Sequence, residues 1–370
     1  MNVKLWSAII VLMIALSASG IYLSEQTKVK DRAVIVAMVN EEGSGVFAST
    51  ENPGLTLDPN TTESWGGLVF ATPGPSSIQH MILMDFVTND LGLKFELYSD
   101  TKSPGSVYWT QIAPGSMGDS LLAGDIDGGI AWEPHYSNIC FGSTYGAYSV
   151  GSTAELWSDH PCCVIAASRA YVSENPNAIL RFLAAYTASV VWVNGAIPEG
   201  SPNHSELVQY VKDNAGVENE VVIQEALEGV KYTYSLENLK EGLIRMVETY
   251  QDLGLLQNTL QEMGFADAAA FADWLVDSAY LSAAEGRTPE SFPELPDNIK
   301  IDIGVLAYDI HQIAVHAGIG EKIFDSYGIT LNLGTPFAAG GNVMNALLSG
   351  QIDMGFLGSP PVVLNTVNYW

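Results

Sequence analysis

The chain contains few basic residues and few cysteines. Its 370 residues include 15 Lys and Arg against 42 Asp and Glu, which gives a formal net charge of −27. A surface this negative repels nucleic acid and anionic lipid, so we expect no nucleic-acid partner. The three cysteines, Cys140, Cys162 and Cys163, include no C-x-x-C pair. The sequence therefore predicts neither a metal nor a cofactor, and we interpret Cys162 and Cys163 as small buried residues of a strand, with the redox state of all three left open.

Familiar catalytic motifs are also missing. The sequence has no G-x-S-x-G, no H-E-x-x-H and no G-x-x-x-x-G-K-[ST]. Its hydrophobic content of 47% is that of a globular protein, and its length suffices for two lobes with substantial cores. We therefore predict a folded protein that is not an enzyme.

Residues 1–23 differ in kind from the rest. Lys4 is followed by an uncharged, apolar stretch from Leu5 to Leu23, with small residues near its end. This pattern is typical of a signal peptide, but the stretch is also long enough for a membrane anchor. Both alternatives predict an extracytoplasmic protein, with residues 24–32 as a polar tether.

Two stretches of the chain repeat each other. Residues 345–361 read NALLSGQIDMGFLGSPP, and residues 119–135 read DSLLAGDIDGGIAWEPH. Each predicts a helix that ends at a glycine, then a buried strand and a proline-marked loop. Open α/β sheets place ligands at the carboxyl ends of parallel strands, so two such units indicate a cleft between them. We interpret the matched Asp127 and Asp353 as structural turn residues and not as a catalytic pair.

Other segments have simpler patterns. Apolar runs predict strands, proline- and glycine-marked periodic segments predict helices, and polar segments predict connections. The predicted strands are 33–39 and 162–167, the predicted helices are 176–192 and the whole of 205–284, and the predicted irregular segments are the loop NEEGSG after residue 39, the crossing at 51–65 and the connection at 138–159.

Several of these motifs resemble a known family. LLSGQID with GSPP, AWEP after GDID, VAMVNEEGSGVF and HPCCVIAASRAYVSENPNAILRFL are similar to segments of solute-binding proteins of the nitrate/sulfonate/taurine class of ABC importers. The resemblance covers most of the chain outside residues 1–32 and 285–297. It implies an α/β, two-lobed, type II periplasmic-binding fold with a hinge and a cleft.

The order of the segments departs from that family. The family's opening segment lies here at the C-terminus, so the chain resembles a circular permutant whose old ends are joined by the proline-rich linker at 285–297. A fragment of a tandem array is the alternative, but the two parts are complementary and neither is duplicated. The resemblance assigns 33–65 to lobe 1 and the crossing, 66–158 to lobe 2, 159–284 to the return to lobe 1 and C-terminal helices, and 298–370 to lobe 1.

The resemblance also implies a function. A monomer would capture a small anionic or zwitterionic solute, such as a sulfonate, taurine or nitrate, by closing its cleft, and would deliver it to a membrane permease. One alternative is an enzyme of the same fold related to thiamine-pyrimidine synthesis, which needs a cysteine- and histidine-rich constellation and a cofactor lysine. Another is a membrane-anchored ligand sensor.

The candidate ligand-binding residues lie at helix starts and in the loops that follow the predicted strands. They are Glu41, Glu42, Ser44, Ser76, Ser77, Trp132, Glu133, Tyr308, His311, Gly340, Gly341, Asn342, Ser359 and Pro360.

Some of these residues have structural alternatives. Ser76 and Ser77 stand at a predicted helix start, where they either contact an anion or cap the helix. Trp132 either faces the ligand or packs in the core. His311 could equally be a helix residue that faces the lobe.

The acidic candidates are also ambiguous. Glu41, Glu42 and Ser44 lie near the crossing between lobes, so either a ligand role or a hinge role is open. Glu133 either binds a ligand amine or ends a strand. A cleft with Glu41, Glu42 and Glu133 would suit a zwitterion such as taurine better than nitrate.

Overall fold

The structure, a computed structural model, describes residues 32–370. The predicted signal peptide or anchor at 1–23 lies outside the described residues. Twelve strands are present in the described part: β1 Ala33–Glu42, β2 Ser44–Ser49, β3 Val69–Thr72, β4 Lys94–Leu97, β5 Ser106–Gln111, β6 Gly128–Trp132, β7 Ala147–Ser152, β8 Pro161–Ser168, β9 Val230–Tyr232, β10 Ile299–Gly304, β11 Ile329–Leu333 and β12 Met354–Gly358.

The helices surround these strands. They are α1 Thr62–Trp65, α2 Ile78–Asp85, α3 Pro114–Leu122, α4 His135–Phe141, α5 Thr153–Leu156, α6 Arg169–Glu174, α7 Pro176–Ala196, α8 His204–Ala215, α9 Glu220–Glu228, α10 Leu239–Asp252, α11 Ala268–Leu275, α12 Ala279–Ala284, α13 Ile313–Gly320, α14 Ile323–Ser326, α15 Gly340–Leu348 and α16 Ser359–Asn368. A π-helical turn, Phe86–Asp90, extends α2.

The strands form two six-stranded sheets that share one plan. The first has the order β11-β10-β12-β8-β1-β9, and the second has the order β4-β5-β3-β6-β2-β7. In the first sheet β11, β10 and β12 are parallel, and β8, β1 and β9 each run antiparallel to the strand before them in this order. In the second sheet β4, β5, β3 and β6 are parallel, and β2 and β7 each run antiparallel to the strand before them. The mixed α/β architecture with two sheets agrees with the predicted fold class.

The repeat that the sequence shows is built the same way in both sheets. A carboxylate oxygen of Asp127 accepts a hydrogen bond from the Val69 amide at 2.8 Å, and one of Asp353 accepts from the Asp302 amide at 2.9 Å. Each bond ties the turn before one parallel strand to its neighbour. The glycine that ends the preceding helix has a positive φ in both copies, as the sequence predicts. The two aspartates are therefore structural.

Each sheet has its own apolar core. The first sheet packs against α7, α10 and α13 in the largest cluster, where Phe182, Tyr186 and Phe356 form ring contacts. The second sheet is covered by one smaller cluster on each face. Among residues 32–370, α7 is long and apolar enough to cross a membrane, but 67% of its apolar window is buried inside the protein. This burial is that of a core helix.

Two segments of the chain connect the sheets. The first is the junction between β1 and β2 at Gly43, which has a φ of 87°. The second runs through α5 into β8. The segments are hydrogen-bonded to each other, since the Glu42 amide donates to the His160 carbonyl at 3.0 Å and the Asp159 amide donates to a Glu42 carboxylate oxygen at 2.9 Å. A pair of connections of this kind is suited to hinge motion between lobes.

The local structure differs from the sequence-based prediction in three places. Strand β9 interrupts the segment predicted to be helical throughout, because it pairs with the edge of β1 at 40–42. The predicted irregular connection at 138–159 contains β7 and the short α5. The predicted loop NEEGSG shrinks to Gly43, because β1 continues to Glu42 and β2 begins at Ser44. The second sheet thus starts ahead of the boundary expected at residue 66.

Candidate ligand-binding cleft

A cavity of about 160 Å³ lies between the two sheets. For comparison, an apolar cavity of about 150 Å³ holds a benzene molecule, so a small solute fits. Its walls come from both sheets, at the carboxyl ends of β3, β6, β10 and β12 and at the start of β8. On the side of the second sheet they are Pro73, Ser76, Ser77, Ile78, Gln79 and Trp132; on the side of the first they are Cys162, Cys163, Leu306, Ala307, Asp309, His311, Ala338, Ala339, Gly340, Gly341, Gly358, Pro360 and Pro361.

Three helices begin at this cavity. They are α2 after Ser77, α15 at Gly340 and α16 at Ser359. The Ser77 side chain accepts a hydrogen bond from the His80 amide at 3.2 Å and so caps α2. No side chain within the described residues caps α15 or α16. The first amides of a helix have no intrahelical acceptor and carry a partial positive charge, so the starts of α2 and α15 favour an anion. The second and third residues of α16 are Pro360 and Pro361, which have no N–H, so its start offers fewer donors.

Trp132 stands at the end of β6 and lines the cavity. Its indole Nε1 is buried and has no hydrogen-bond partner within residues 32–370. Buried donors are nearly always paired, because an unpaired one loses its hydration without compensation. The indole N–H is therefore a candidate donor to a hydrogen-bond acceptor of a ligand.

A compact polar cluster forms the opposite wall. His311 Nδ1 lies 3.2 Å from a carboxylate oxygen of Asp309 and 3.7 Å from Cys163 Sγ, which lies 3.8 Å from Cys162 Sγ. The other ring nitrogen, Nε2, donates to the Gly43 carbonyl at 2.9 Å. Burial is the largest single effect and opposes the charged imidazolium, but Asp309, Cys162 and the Gly43 carbonyl together outweigh it and raise the pKa of His311 to about 10. His311 thereby links the cavity to the crossing between lobes.

The two cysteines combine burial with access to the cavity. Cys162 and Cys163 are 2% and 5% exposed, as expected for small residues of a strand, and both are free thiols. The hydrogen bond from Cys163 lowers the pKa of Cys162 to about 7, against the effect of burial, whereas the same bond and burial raise the pKa of Cys163. Both nevertheless line the cavity.

Half of the predicted ligand residues line this cavity, from both sides of the cleft. They are Ser76, Ser77, Trp132, His311, Gly340, Gly341 and Pro360.

Glu41 and Glu42 lie outside the lining, in the crossing. Glu41 pairs with Lys231 Nζ at 2.5 Å, and Glu42 accepts from the Asp159 amide at 2.9 Å. The Glu42 contact joins the two connecting segments, and Lys231, which also pairs with Asp159, links Glu41 to the second of them.

Ser44 and Glu133 also point elsewhere. The Ser44 hydroxyl accepts from the Gln79 amide group at 2.9 Å, and a Glu133 oxygen accepts from the Ser137 hydroxyl at 2.9 Å. Burial raises the pKa of Glu133 to about 7. Since none of the three predicted glutamates reaches the cavity, the expected preference for a zwitterion loses its basis.

The remaining three candidates occupy different surroundings. Tyr308 is 64% exposed, and Asn342 faces a depression on the outer surface. Ser359 is fully buried and donates to the Pro161 and Cys162 carbonyls at 3.2 and 3.1 Å. Its role is to fix the start of α16 against β8, while its neighbour Pro360 lines the cavity.

Sequence reasoning missed several lining residues. Asp309 stands two positions before His311 in the same loop, and Gln79 lies on the first turn of α2, so both could have been found from their neighbours. Cys162 and Cys163 carried no such signal. Their approach to His311 joins residues 148 positions apart.

Two α/β lobes, joined by two hydrogen-bonded crossings and enclosing a cleft at their strand ends, define a type II periplasmic-binding fold. The model of the NMT1-like family matches residues 7–212, which is more than half of the sequence. The chain belongs to the NMT1-like family.

Solved structures share this fold. The periplasmic nitrate-binding protein NrtA from Synechocystis PCC 6803 is 14% identical and superposes with a TM-score of 0.52, over 77% of this chain and 76% of that one. A zinc-bound ligand-binding component of an ABC-type import system from Staphylococcus aureus is 16% identical, with a TM-score of 0.50 over 69% and 75%. No curated protein matches the sequence. At these identities the likeness establishes the fold.

Proposed function

We propose that the protein is the extracytoplasmic solute-binding component of an ABC importer, which captures a small solute in the cleft and delivers it to a membrane permease. The observation that carries the proposal is the cavity itself, lined from both lobes and holding the unpaired Trp132 donor. Family membership, the export pattern at residues 1–23 and the solved relatives of the fold, which are ligand-binding components of import systems, support it.

The solute class follows from the donors around the cavity. The starts of α2 and α15 and one indole N–H favour an anion or another strong acceptor. Among the described lining residues there is one carboxylate, Asp309, and it is engaged by His311. We therefore propose a small anion such as nitrate or a short sulfonate ahead of a zwitterion.

Ligand-driven closure would supply the signal to the permease. A ligand that touches Trp132 on one lobe and the α15 start on the other binds the closed form better than the open one, and so shifts the population towards it. Gly43 and the paired segment before β8 are the proposed hinge.

The enzyme alternative has one feature in its favour and one against it. Cysteines and a histidine do meet in the cavity wall, but no lysine is among the described residues that line it. A cofactor that needs a lysine partner has none here, so we propose binding and not catalysis.

We also propose that the altered segment order is a circular permutation. Strand β12, from the C-terminal segment, pairs with β8 and completes the first sheet. The chain end lies at the start of the described fold, since the Arg32 guanidinium carbon is 3.1 Å from the centre of a Trp370 ring. Adjacent ends are the condition under which a chain can be cut and rejoined without loss of its fold.

A ligand screen tests the proposed function. The full chain, purified in mild detergent, is heated in the presence of nitrate, taurine, short alkanesulfonates or a flat heterocycle, with sodium chloride at equal ionic strength as the control. A bound solute raises the unfolding temperature, because at a hundredfold excess over Kd it adds about 2.7 kcal/mol to the free energy of unfolding. Stabilisation by at least one small anion is expected. No shift with any of them, or turnover of one into a product, would contradict the proposal.

A further inference from the structure

We propose that Cys162, Cys163 and His311 form a binding site for a thiophilic divalent cation, of the class of Zn²⁺, in the wall of the cleft. Two thiols and an imidazole are the donor set that such cations prefer. The inference does not depend on the transport assignment.

The spacing of the donors matches a tetrahedral site. With Zn–S bonds of about 2.3 Å and a Zn–N bond of about 2.0 Å, tetrahedral angles place two sulfurs about 3.8 Å apart and sulfur and nitrogen about 3.5 Å apart. The corresponding distances here are 3.8 Å between the two sulfurs and 3.7 Å from Cys163 Sγ to His311 Nδ1. All three donor atoms lie within 4.8 Å of one another. Two edges of a coordination tetrahedron therefore have the expected length, and the third pair of donors lies within 4.8 Å.

The imidazole is oriented for this role. Its Nε2 faces the Gly43 carbonyl, which can only accept a hydrogen bond, so Nε2 carries a proton and Nδ1 is the atom turned to the sulfurs. A metal-bound histidine typically donates its second N–H to a carbonyl or carboxylate in the same way. Asp309, 3.2 Å from Nδ1, is close enough to provide the fourth donor. Binding would displace the two thiol protons, and any proton on Nδ1, to solvent.

The site would also give the cleft a Lewis-acidic centre. None of the described lining residues is a lysine or arginine, although the starts of α2 and α15 lie at the cavity. A divalent cation held by two thiolates and a neutral histidine has no net charge, but with Asp309 as an exchangeable fourth donor it would offer a coordination position to an acceptor of the solute. The same position is shielded from bulk water, since His311 is 2% exposed.

Cobalt titration tests the inference without any solute present. The full, untagged chain is reduced, stripped with a chelator and titrated with Co²⁺, whose thiolate complexes absorb strongly in the near ultraviolet. We expect one Co²⁺ per chain with this absorption, and its loss when Zn²⁺ is added. Cys162→Ser and Cys163→Ser should each weaken Co²⁺ binding at least tenfold, whereas Cys140→Ser, which changes the cysteine outside the cluster, should leave it unchanged.

The serine variants keep the side-chain volume, and circular dichroism verifies that each is folded. Absence of the thiolate absorption in the folded natural chain would overturn the inference, because misfolding of a variant could not explain that result. Co²⁺ affinity in the folded Cys162→Ser and Cys163→Ser variants equal to that of the natural chain would overturn it as well. His311→Ala then separates a three-donor site from a dithiol site, since only the former loses affinity, and a dithiol result counts against the proposal.

Discussion

Replacing Gly43 with alanine tests the crossing between the lobes most sharply. Gly43 has a φ of 87° and stands between β1 and β2. A Cβ added there would collide with Nε2 of His311 and lie 3.1 Å from Val230 Cγ2. The substitution therefore strains the backbone and also pushes His311 out of the cluster it forms in the cavity wall.

The two costs can be worked out separately. A non-glycine residue at a positive φ loses about 1–2 kcal/mol. Forcing a packed side chain to move costs about 1–3 kcal/mol more. We expect Gly43→Ala to lower the free energy of unfolding by about 2–5 kcal/mol, the sum of these two ranges.

Gly54 offers a matched control. It has a φ of 92°, but a Cβ added there meets no atom within 4 Å. Gly54→Ala should therefore lower the free energy of unfolding through backbone strain alone. Urea unfolding of both variants, followed by circular dichroism, measures the difference. Equal losses for the two variants would refute the claim that His311 is packed against the crossing.

Three further predictions concern stability. Asp127→Ala should lower the free energy of unfolding in urea by about 1–3 kcal/mol, since it leaves the amide at the start of β3 without its acceptor. Asp125 is exposed, so Asp125→Ala should cost less than about 0.5 kcal/mol. Equal losses would contradict the structural role. A chain opened in the linker at 285–297 and joined through its present ends, without residues 1–31, should show the same circular dichroism spectrum, and failure to fold would count against permutation. Burial lowers the pKa of His160 to about 4, so the unfolded state binds a proton at this residue more tightly and stability falls as pH drops from about 6.5 towards 4. His160→Gln should reduce this fall by at most about 1.4 kcal/mol per pH unit, measured by unfolding at pH 7 and pH 5. An unchanged dependence of stability on pH would contradict the assignment.

The sequence predicted the repeated α/β unit because its signals are local. The glycine after each helix, the aspartate in the turn and the buried strand that follows act within a few residues, and the two copies reinforce each other. The predictions failed where pairing partners are distant. Strand β9 has only three residues and exists because it meets the edge of β1, which no local pattern reveals.

The same distinction explains the site. Helix starts such as those at Ser77 and Gly340 can be recognised locally, and both line the cavity. The direction in which a side chain points along a strand is harder to predict. Glu41 and Ser44 lie within two residues of Gly43, but β1 has a register shift at Glu41 and both side chains have partners outside the cavity. The approach of Cys163 to His311 required the fold itself.

The central claim is that the cavity between the lobes binds a solute whose acceptor pairs with Trp132. Calorimetric titration of whichever anion the screen selects, with Trp132→Phe and with Trp192→Phe as a control on α7, tests it most directly. Loss of one hydrogen bond to a charged acceptor removes about 1.5–3 kcal/mol, so Trp132→Phe should weaken binding at least about tenfold while Trp192→Phe leaves it unchanged. Equal affinity in the natural chain and in a folded Trp132→Phe variant would contradict the account.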